Sequence, residues 1–71
     1  SLVGSEMCIR DRDWFGKSLS QIDIRKKFKI NILTIKRGEE VFIPSPDTVI
    51  ETDDIAFVIG EVRDIQKCFR I

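Results

Sequence analysis

Residues 30–38 read INILTIKRG and carry the clearest structural signal in this chain. β-Branched side chains are concentrated here, and they suit the pleated surface of a β-strand. In a regular strand, Ile30, Ile32 and Thr34 would share one face, and Leu33 and Ile35 would share the other. Both faces are largely apolar, so the sequence predicts an interior strand that is covered on both sides.

Helical signals precede this strand. Ser18 and Gln21 have the spacing of a capping box, which predicts a helix that begins at Leu19. A second short helical turn follows over residues 23–29, with Asp23 as its capping side chain. This turn is strongly basic, and its cations suit the carboxyl end of a helix.

The signals after the strand predict a hairpin, a second buried strand and a final helix. In chain order they are a turn at 38–39, a return strand at 40–43, a proline-rich turn at 44–47, a polar turn at 51–54, a strand at 55–60 and a helix at 61–70. The three carboxylates of the polar turn lack calcium-loop spacing, so a solvated turn is expected there. The order indicates an α+β fold, in which a small β-sheet of about three strands has helices packed on one face.

Residues 1–12, SLVGSEMCIRDR, do not match the rest of the chain. They show no clean period of 2 or 3.6 residues, and the string resembles translated sequencing-adaptor sequence. We therefore expect residues 1–13 to be a non-native or disordered leader, and residues 14–71 to be the folded domain. A genuine but poorly ordered N-terminus is the alternative.

Composition narrows the functional classes. Twelve basic and twelve acidic residues cancel, which argues against nucleic acid as a partner. The absence of histidine removes the commonest general base, and no nucleophile and base pair stands out, so an enzyme is not expected. Cys8 and Cys68 match no zinc or redox spacing, so no metal site is expected either. No apolar run approaches the roughly 20 residues of a membrane span, which suggests a cytoplasmic context.

Several segments together resemble the TrkA C-terminal domain, which is also called the RCK-C domain, for regulator of potassium conductance. They are GKSL at 16–19, IDIRKKF at 22–28, INILTIKRG at 30–38, PSPDTVI at 44–50, DDI at 53–55 and VIG at 58–60. The resemblance runs from about Trp14 to Phe69. It implies an α+β domain that dimerises in cytosolic subunits of bacterial potassium channels and transporters, and that is not itself an enzyme. Against this family, the first strand of the domain is expected to be missing.

The resemblance also implies a regulatory ligand, notably cyclic di-AMP. The family positions that face the dinucleotide match Arg25 and Asn31 here, with Ile32 and Pro46 as weaker matches. A guanidinium can hold a phosphate through paired donors, and an amide can serve a base edge. Some members have histidine directly after the asparagine, where this chain has Ile32. Arg25 as a plain surface cation and Asn31 as a locally satisfied strand residue remain alternatives.

Three functions follow from these patterns. The first is a ligand-binding and dimerisation domain of a Trk/Ktr-type potassium channel or transporter subunit, for which cyclic di-AMP is the expected ligand. Such a domain would form a homodimer through its sheet and short-helix face. It would lie in the cytoplasm beside its transporter at the inner membrane. The second is a ligand-free structural RCK-C domain within an anion permease or cation antiporter. The third, a small enzyme, has little support.

Overall fold

The computed structural model describes residues 2–10 and 13–69, which form one antiparallel sheet with helices on one face. The elements are β1 (Leu2–Cys8), α1 (Leu19–Ile22), α2 (Ile24–Phe28), β2 (Asn31–Arg37), β3 (Glu40–Phe42), β4 (Ile55–Glu61) and α3 (Val62–Phe69). The strand order is β1-β4-β2-β3, and each neighbouring pair is antiparallel. The α+β class and the helices on one face are confirmed. The capping box at Ser18 is confirmed as well, with the Ser18 backbone N–H donating to Gln21 Oε1 over 2.9 Å.

The sheet has four strands where about three were expected, because residues 2–8 form β1. Within the described residues, 2–8 are an ordered strand rather than a disordered segment. The interpretation of residues 1–13 as a non-native or disordered leader, and the expected absence of the family's own first strand, stay predictions; residues 1, 11 and 12 lie outside the described part. Strand β1 pairs with β4 along its whole length, from Leu2 opposite Glu61 to Cys8 opposite Ile55. The physical reason is that the edge of β4 presents main-chain donors and acceptors that an extended segment of almost any sequence can satisfy. The non-native origin of the segment stays a prediction.

A β-bulge in β2 changes the predicted alternation. The register with β4 shifts between Ile32 and Thr34, so Ile32 lies opposite Val58 and Ile35 lies opposite Ala56. Val58 and Ala56 are fully buried, which puts Ile32 and Ile35 together on the face that packs against the helices. The prediction that they lie on opposite faces is wrong because a bulge inserts one residue and resets the alternation.

The second face of the sheet is open to solvent, whereas cover on both faces was expected. Phe57 in the middle of β4 is 37% exposed, and Val41 in β3 is 60% exposed. Phe42 in β3 faces the other way and packs against the core.

The core lies between the sheet and the helices. Its fully buried large side chains include Ile9, Ile30, Ile35 and Ile50. Trp14 lies against the rings of Phe28 and Phe69, with centroid distances of 6.4 and 5.8 Å. These contacts tie the chain before α1 to α2 and α3.

Helix α3 packs on the core through residues that begin at Ile65. Ile65 and Cys68 are buried and Phe69 packs beside them, but Val62 is 52% exposed. Arg70, the expected end of this helix, lies outside the described residues. Among the helices that the structure describes, none is long and apolar enough to cross a membrane.

The end of β2 is fixed by an ion pair between Arg37, which is partly exposed, and Asp54, which lies in the turn that was expected to be solvated. Asp54 is fully buried, and Arg37 Nε and Nη2 donate to its two carboxylate oxygens over 2.9 and 2.8 Å. The Glu51 backbone N–H donates to the same carboxylate, and Arg37 also bonds the Glu51 side chain at 2.7 Å. Burial raises the pKa of Asp54, but the hydrogen bonds from Arg37 and Glu51 and the charge of Arg37 outweigh it, so its pKa lies below the ordinary value.

Candidate functional site

A groove of about 350 Å³ lies where α1, α2, the start of β2 and the proline-rich segment meet. Ligand pockets commonly span roughly 300–1,000 Å³, so the groove is at the small end of that range. It is lined by Leu19, Ser20, Asp23, Ile24, Arg25, Ile30, Asn31, Ile32, Pro44, Ser45 and Pro46. The four residues that the resemblance singled out, Arg25, Asn31, Ile32 and Pro46, are all among them.

Two left-handed residues bring the polar side chains to the groove. Asp23 (φ 57°) separates α1 from α2, and Lys29 (φ 59°) ends α2 and turns the chain toward β2. Arg25 therefore lies in the first turn of α2, close to Asn31 at the start of β2, and both side chains are exposed. Arg25 makes no side-chain hydrogen bond or ion pair within the described residues. Its guanidinium is thus available to an anion that enters the groove.

The proline-rich wall is fastened to α1 by main-chain hydrogen bonds. Ser20 N–H donates to the Pro46 carbonyl and Leu19 N–H donates to the Thr48 carbonyl, each over 3.0 Å. Gly16 N–H also bonds the Ile50 carbonyl at 3.0 Å, and Ile50 is fully buried. Both walls of the groove are therefore held in place by backbone geometry, independently of a ligand.

The groove floor is apolar. Ile30 is fully buried and Ile32 is partly buried against the core, while Pro44 and Pro46 form the rim. Flat apolar walls next to an amide and a guanidinium suit a ligand that has an aromatic ring and a phosphate.

Asp23 is the groove residue that sequence reasoning assigned differently. It was predicted to cap α2 through its side chain, but the structure shows no such hydrogen bond and a left-handed backbone instead. Its side chain lines the groove with Arg25, so the site contains one carboxylate as well as one guanidinium. Asp23 lies directly between two short helical patterns, where the chain must change direction. Aspartate tolerates the left-handed conformation that such a change requires, so the sequence did contain a signal for this turn. Ser20 and Ser45, which also line the groove, carried no distinguishing sequence signal.

Comparison with known proteins identifies relatives in potassium transport. The chain is 49% identical over 53 residues to the Ktr system potassium uptake protein C of Bacillus subtilis, which is 73% of this chain and 24% of that protein. It is 32% identical over 63 residues to potassium channel protein 1 of Methanocaldococcus jannaschii, which is 87% of this chain and 19% of that protein. The chain thus spans about a quarter or less of these relatives.

Solved structures share the fold. The RCK C domain of the potassium transport protein KtrA, solved in complex with cyclic diadenosine monophosphate, superposes with a TM-score of 0.89 at 33% identity, covering 97% of this chain and 81% of that one. The RCK-C domain dimer of S. agalactiae BusR, also in complex with c-di-AMP, gives a TM-score of 0.81 at 23% identity, covering 97% and 91%. Because the BusR domain is only 23% identical to this chain, its similarity establishes the fold and nothing more.

The family model of the TrkA-C domain matches residues 9–71, which is most of the chain. Together with the relatives and the shared fold, this match shows that the chain belongs to the TrkA-C (RCK-C) family of regulatory domains.

Proposed function

We propose that this chain is the ligand-binding and dimerisation domain of a Trk/Ktr-type potassium channel or transporter subunit, and that its groove binds cyclic di-AMP. The observation that carries the proposal is the meeting of Arg25, Asn31, Ile32 and Pro46 in one groove. The likeness to a KtrA domain in complex with the same dinucleotide supports it.

Arg25 would supply the phosphate contact. Its side chain is exposed at the groove and is not engaged by the described residues, so binding a phosphate breaks no existing ion pair. Hydrogen bonds between a guanidinium and a phosphate are charge-assisted and are frequently bidentate. Asn31 would offer a donor and an acceptor to a base, and the isoleucine and proline walls would pack against its ring.

The groove of one chain would hold half of the ligand. Cyclic di-AMP has two equivalent nucleotide halves, and a groove of about 350 Å³ is small for the whole molecule. A two-fold homodimer through the face that contains the short helices would bring two such grooves together. In the cell, this dimer would act in the cytoplasm beside the transporter at the inner membrane.

The ligand claim is tested by calorimetry with cyclic di-AMP on the chain and on two neighbouring variants. We expect Arg25→Ala to weaken binding at least about tenfold, because a charge-assisted hydrogen bond to phosphate contributes about 1.5–3 kcal/mol. Lys26→Ala is the matched control, since it removes one positive charge from the same helix at a residue outside the groove lining. Equal loss in both variants, or no heat with the unmodified folded chain, would remove the claim.

A ligand-free structural role is the second candidate. The Asp23 carboxylate lines the groove, and a negative charge there disfavours a phosphate. The chain is also 30% identical over 67 residues to a putative transport protein of Aeromonas hydrophila, covering 94% of this chain and 12% of that protein. Under this alternative the domain would assemble subunits of a permease or antiporter without binding cyclic di-AMP.

A further inference from the structure

Another concavity lies between α2 and α3, on a part of the surface that the groove does not include. This hollow has a volume of about 140 Å³ and is lined by Lys27, Phe28, Lys29, Asp64 and Lys67. None of these residues lines the groove. Three of the five side chains carry an ammonium group and one carries a carboxylate, so the α2–α3 hollow has an excess of two positive charges.

The neutral total charge of the chain conceals this local excess. Residues 24–37 contain six basic and no acidic side chains, whereas residues 38–62 contain seven acidic and no basic ones. Lys27, Lys29 and Lys67 are exposed, and none of them makes an ion pair within the described residues. Like charges that share one concavity repel one another, so an anion that enters the hollow relieves this repulsion.

Aromatic packing fixes the two sides of the hollow relative to each other. The Trp14 ring contacts Phe28 of α2 and Phe69 of α3, with centroid distances of 6.4 and 5.8 Å. Phe28 is partly buried and lines the hollow. On the other side, Asp64 and Lys67 are three residues apart in α3 and are therefore neighbours on one face of that helix. The cations thus come from two elements whose separation is set by the core, independently of a ligand.

We propose that the α2–α3 hollow binds a phosphate monoester. Such a group carries a charge of about −1.5 to −2 at neutral pH, which matches the excess positive charge of the hollow. Lysine ammonium groups bind phosphate as point charges through charge-assisted hydrogen bonds, and three of them can contact different oxygens of one tetrahedral group. A phosphodiester carries a single charge and fits this balance less well, so the hollow and the groove differ in the ligand that each prefers.

Titration with inorganic phosphate, followed by backbone amide chemical shifts, tests the site. The ionic strength is held at about 0.15 M, where charges more than about 8 Å apart are largely screened. We expect saturable shifts at residues 27–29 and 64–67. Lys27→Gln and Lys67→Gln should each weaken binding about three- to fivefold, because each removes one exposed cation. Asp64→Asn should strengthen binding by a similar factor, because it removes the negative charge of the hollow.

Two variants outside the hollow are the controls. Lys26→Gln removes one positive charge from the same helix, and Arg25→Ala removes the guanidinium of the groove. Neither should change the phosphate affinity measured at the hollow by more than about twofold, because both charges lie outside it. Shifts that do not saturate, equal losses in Lys26→Gln and Lys27→Gln, or weaker binding in Asp64→Asn would overturn the proposal.

The same phosphate group can come from a soluble molecule or from a lipid, and two further probes distinguish these sources. Glycerol 3-phosphate tests the soluble source. Phosphatidylcholine vesicles that contain phosphatidic acid test the lipid source, with phosphatidylglycerol at equal total charge as the comparison. Binding of glycerol 3-phosphate that Lys67→Gln weakens supports a soluble ligand, and a preference for phosphatidic acid that the same variant removes supports a lipid headgroup. Absence of both results would overturn the proposal.

Discussion

Asp54 shows how much of this fold depends on a single buried carboxylate. It receives hydrogen bonds from Arg37, 17 residues earlier, and from the nearby Glu51 backbone. Arg37 also donates to the Val49 carbonyl and lies 5.2 Å from the centroid of the Phe42 ring. The Arg37 side chain thus joins the end of β2 to the loop that leads into β4.

Replacing this carboxylate with a neutral isostere should destabilise the fold strongly. We expect Asp54→Asn to lower the free energy of unfolding by about 1–3 kcal/mol, because it removes the charge of a buried carboxylate that accepts hydrogen bonds from Arg37 and the Glu51 backbone. Asp53→Asn is the matched control, since Asp53 is exposed and asparagine tolerates its left-handed φ of 69°. Urea unfolding measures both, and equal stability of the two variants would contradict the expectation.

The ion pair of Arg37 and Asp54 also predicts how the free energy of unfolding depends on pH. The folded-state pKa of Asp54 lies below its ordinary value of 3.8, so the stability it contributes is present above pH 3.8 and is lost as the pH falls through the lower folded-state value. The difference in unfolding free energy between the unmodified chain and Asp54→Asn should therefore be constant near neutral pH and shrink below about pH 4. A difference that grows on acidification would show the opposite sign of the pKa shift.

Single residues were only partly predictable from the sequence. The capping box of Ser18 and Gln21 was predicted from their spacing, and it forms. The burial of Asp54 was not predicted, because its pairing with Arg37 depends on how the β2–β3 hairpin brings distant segments together, which no local pattern encodes. Arg25 and Asn31 were chosen through a family resemblance rather than through their spacing. Their meeting in one groove required the two left-handed turns that flank α2.

At the scale of elements, the glycine that ends the buried run of β4 has a packing role. A Cβ atom at Gly60 would lie 2.6 Å from Ile30 Cγ2, and Ile30 is fully buried. The strand and the α2–β2 connection can therefore approach closely only because this position has no side chain. The sequence had shown Gly60 merely as the residue between a strand and a helix.

Adding that methyl group should separate the strand from the connection. We expect Gly60→Ala to destabilise the fold by about 1–3 kcal/mol through overpacking. Gly4→Ala serves as the comparison, because its Cβ would lie 3.0 Å from the end of the partly exposed Phe57 ring, which can move aside. Thermal unfolding that ranks the two variants in the reverse order would contradict this packing.

Strand β1 provides a test of its own register. Ser5 lies opposite the buried Val58, so it points toward the helices although it is polar. We expect Ser5→Val to raise the free energy of unfolding by about 0.2–1 kcal/mol, as apolar cross-strand pairs do. An unchanged or lower stability in urea would argue that residues 2–8 do not occupy this edge in solution.

Strand and helix patterns predicted the elements after residue 14 well, but not their relation to one another. The hairpin, the strand at 55–60 and the final helix all form. The bulge in β2 was not predicted, because it depends on pairing with β4 and leaves no mark on the isoleucine pattern. Strand β1 was not predicted either, because main-chain hydrogen bonds to β4 do not require particular side chains and so leave no recognisable sequence pattern.

For the whole molecule, the groove and the open sheet face give two surfaces with different chemistry. The groove combines one guanidinium with proline and isoleucine walls, and the open face combines an apolar centre with two opposed charges. Within the described residues, no side chain that lines the groove also lines the shallow concavity of the open face, which Phe57 and Val41 share with the charged Glu6 and Lys36.

Stoichiometry should show the two-fold use of the groove. We expect cyclic di-AMP to bind at one molecule per two chains, because each chain would contact one nucleotide half. The melting temperature with ligand should then rise with protein concentration, since the liganded state would be a dimer. Titration calorimetry and thermal scans at several protein concentrations measure both quantities. Saturation at one molecule per chain would contradict the shared site.

The main-chain bonds between α1 and the proline-rich segment have one more consequence. The amide hydrogens of Leu19 and Ser20 are engaged by the Thr48 and Pro46 carbonyls, so they exchange with deuterium only when the two walls of the groove separate. An occupant that bridges both walls must slow that exchange, even if it never touches these two amides. The backbone thus contains its own reporter of occupancy, which hydrogen–deuterium exchange mass spectrometry can read without any modification of the protein.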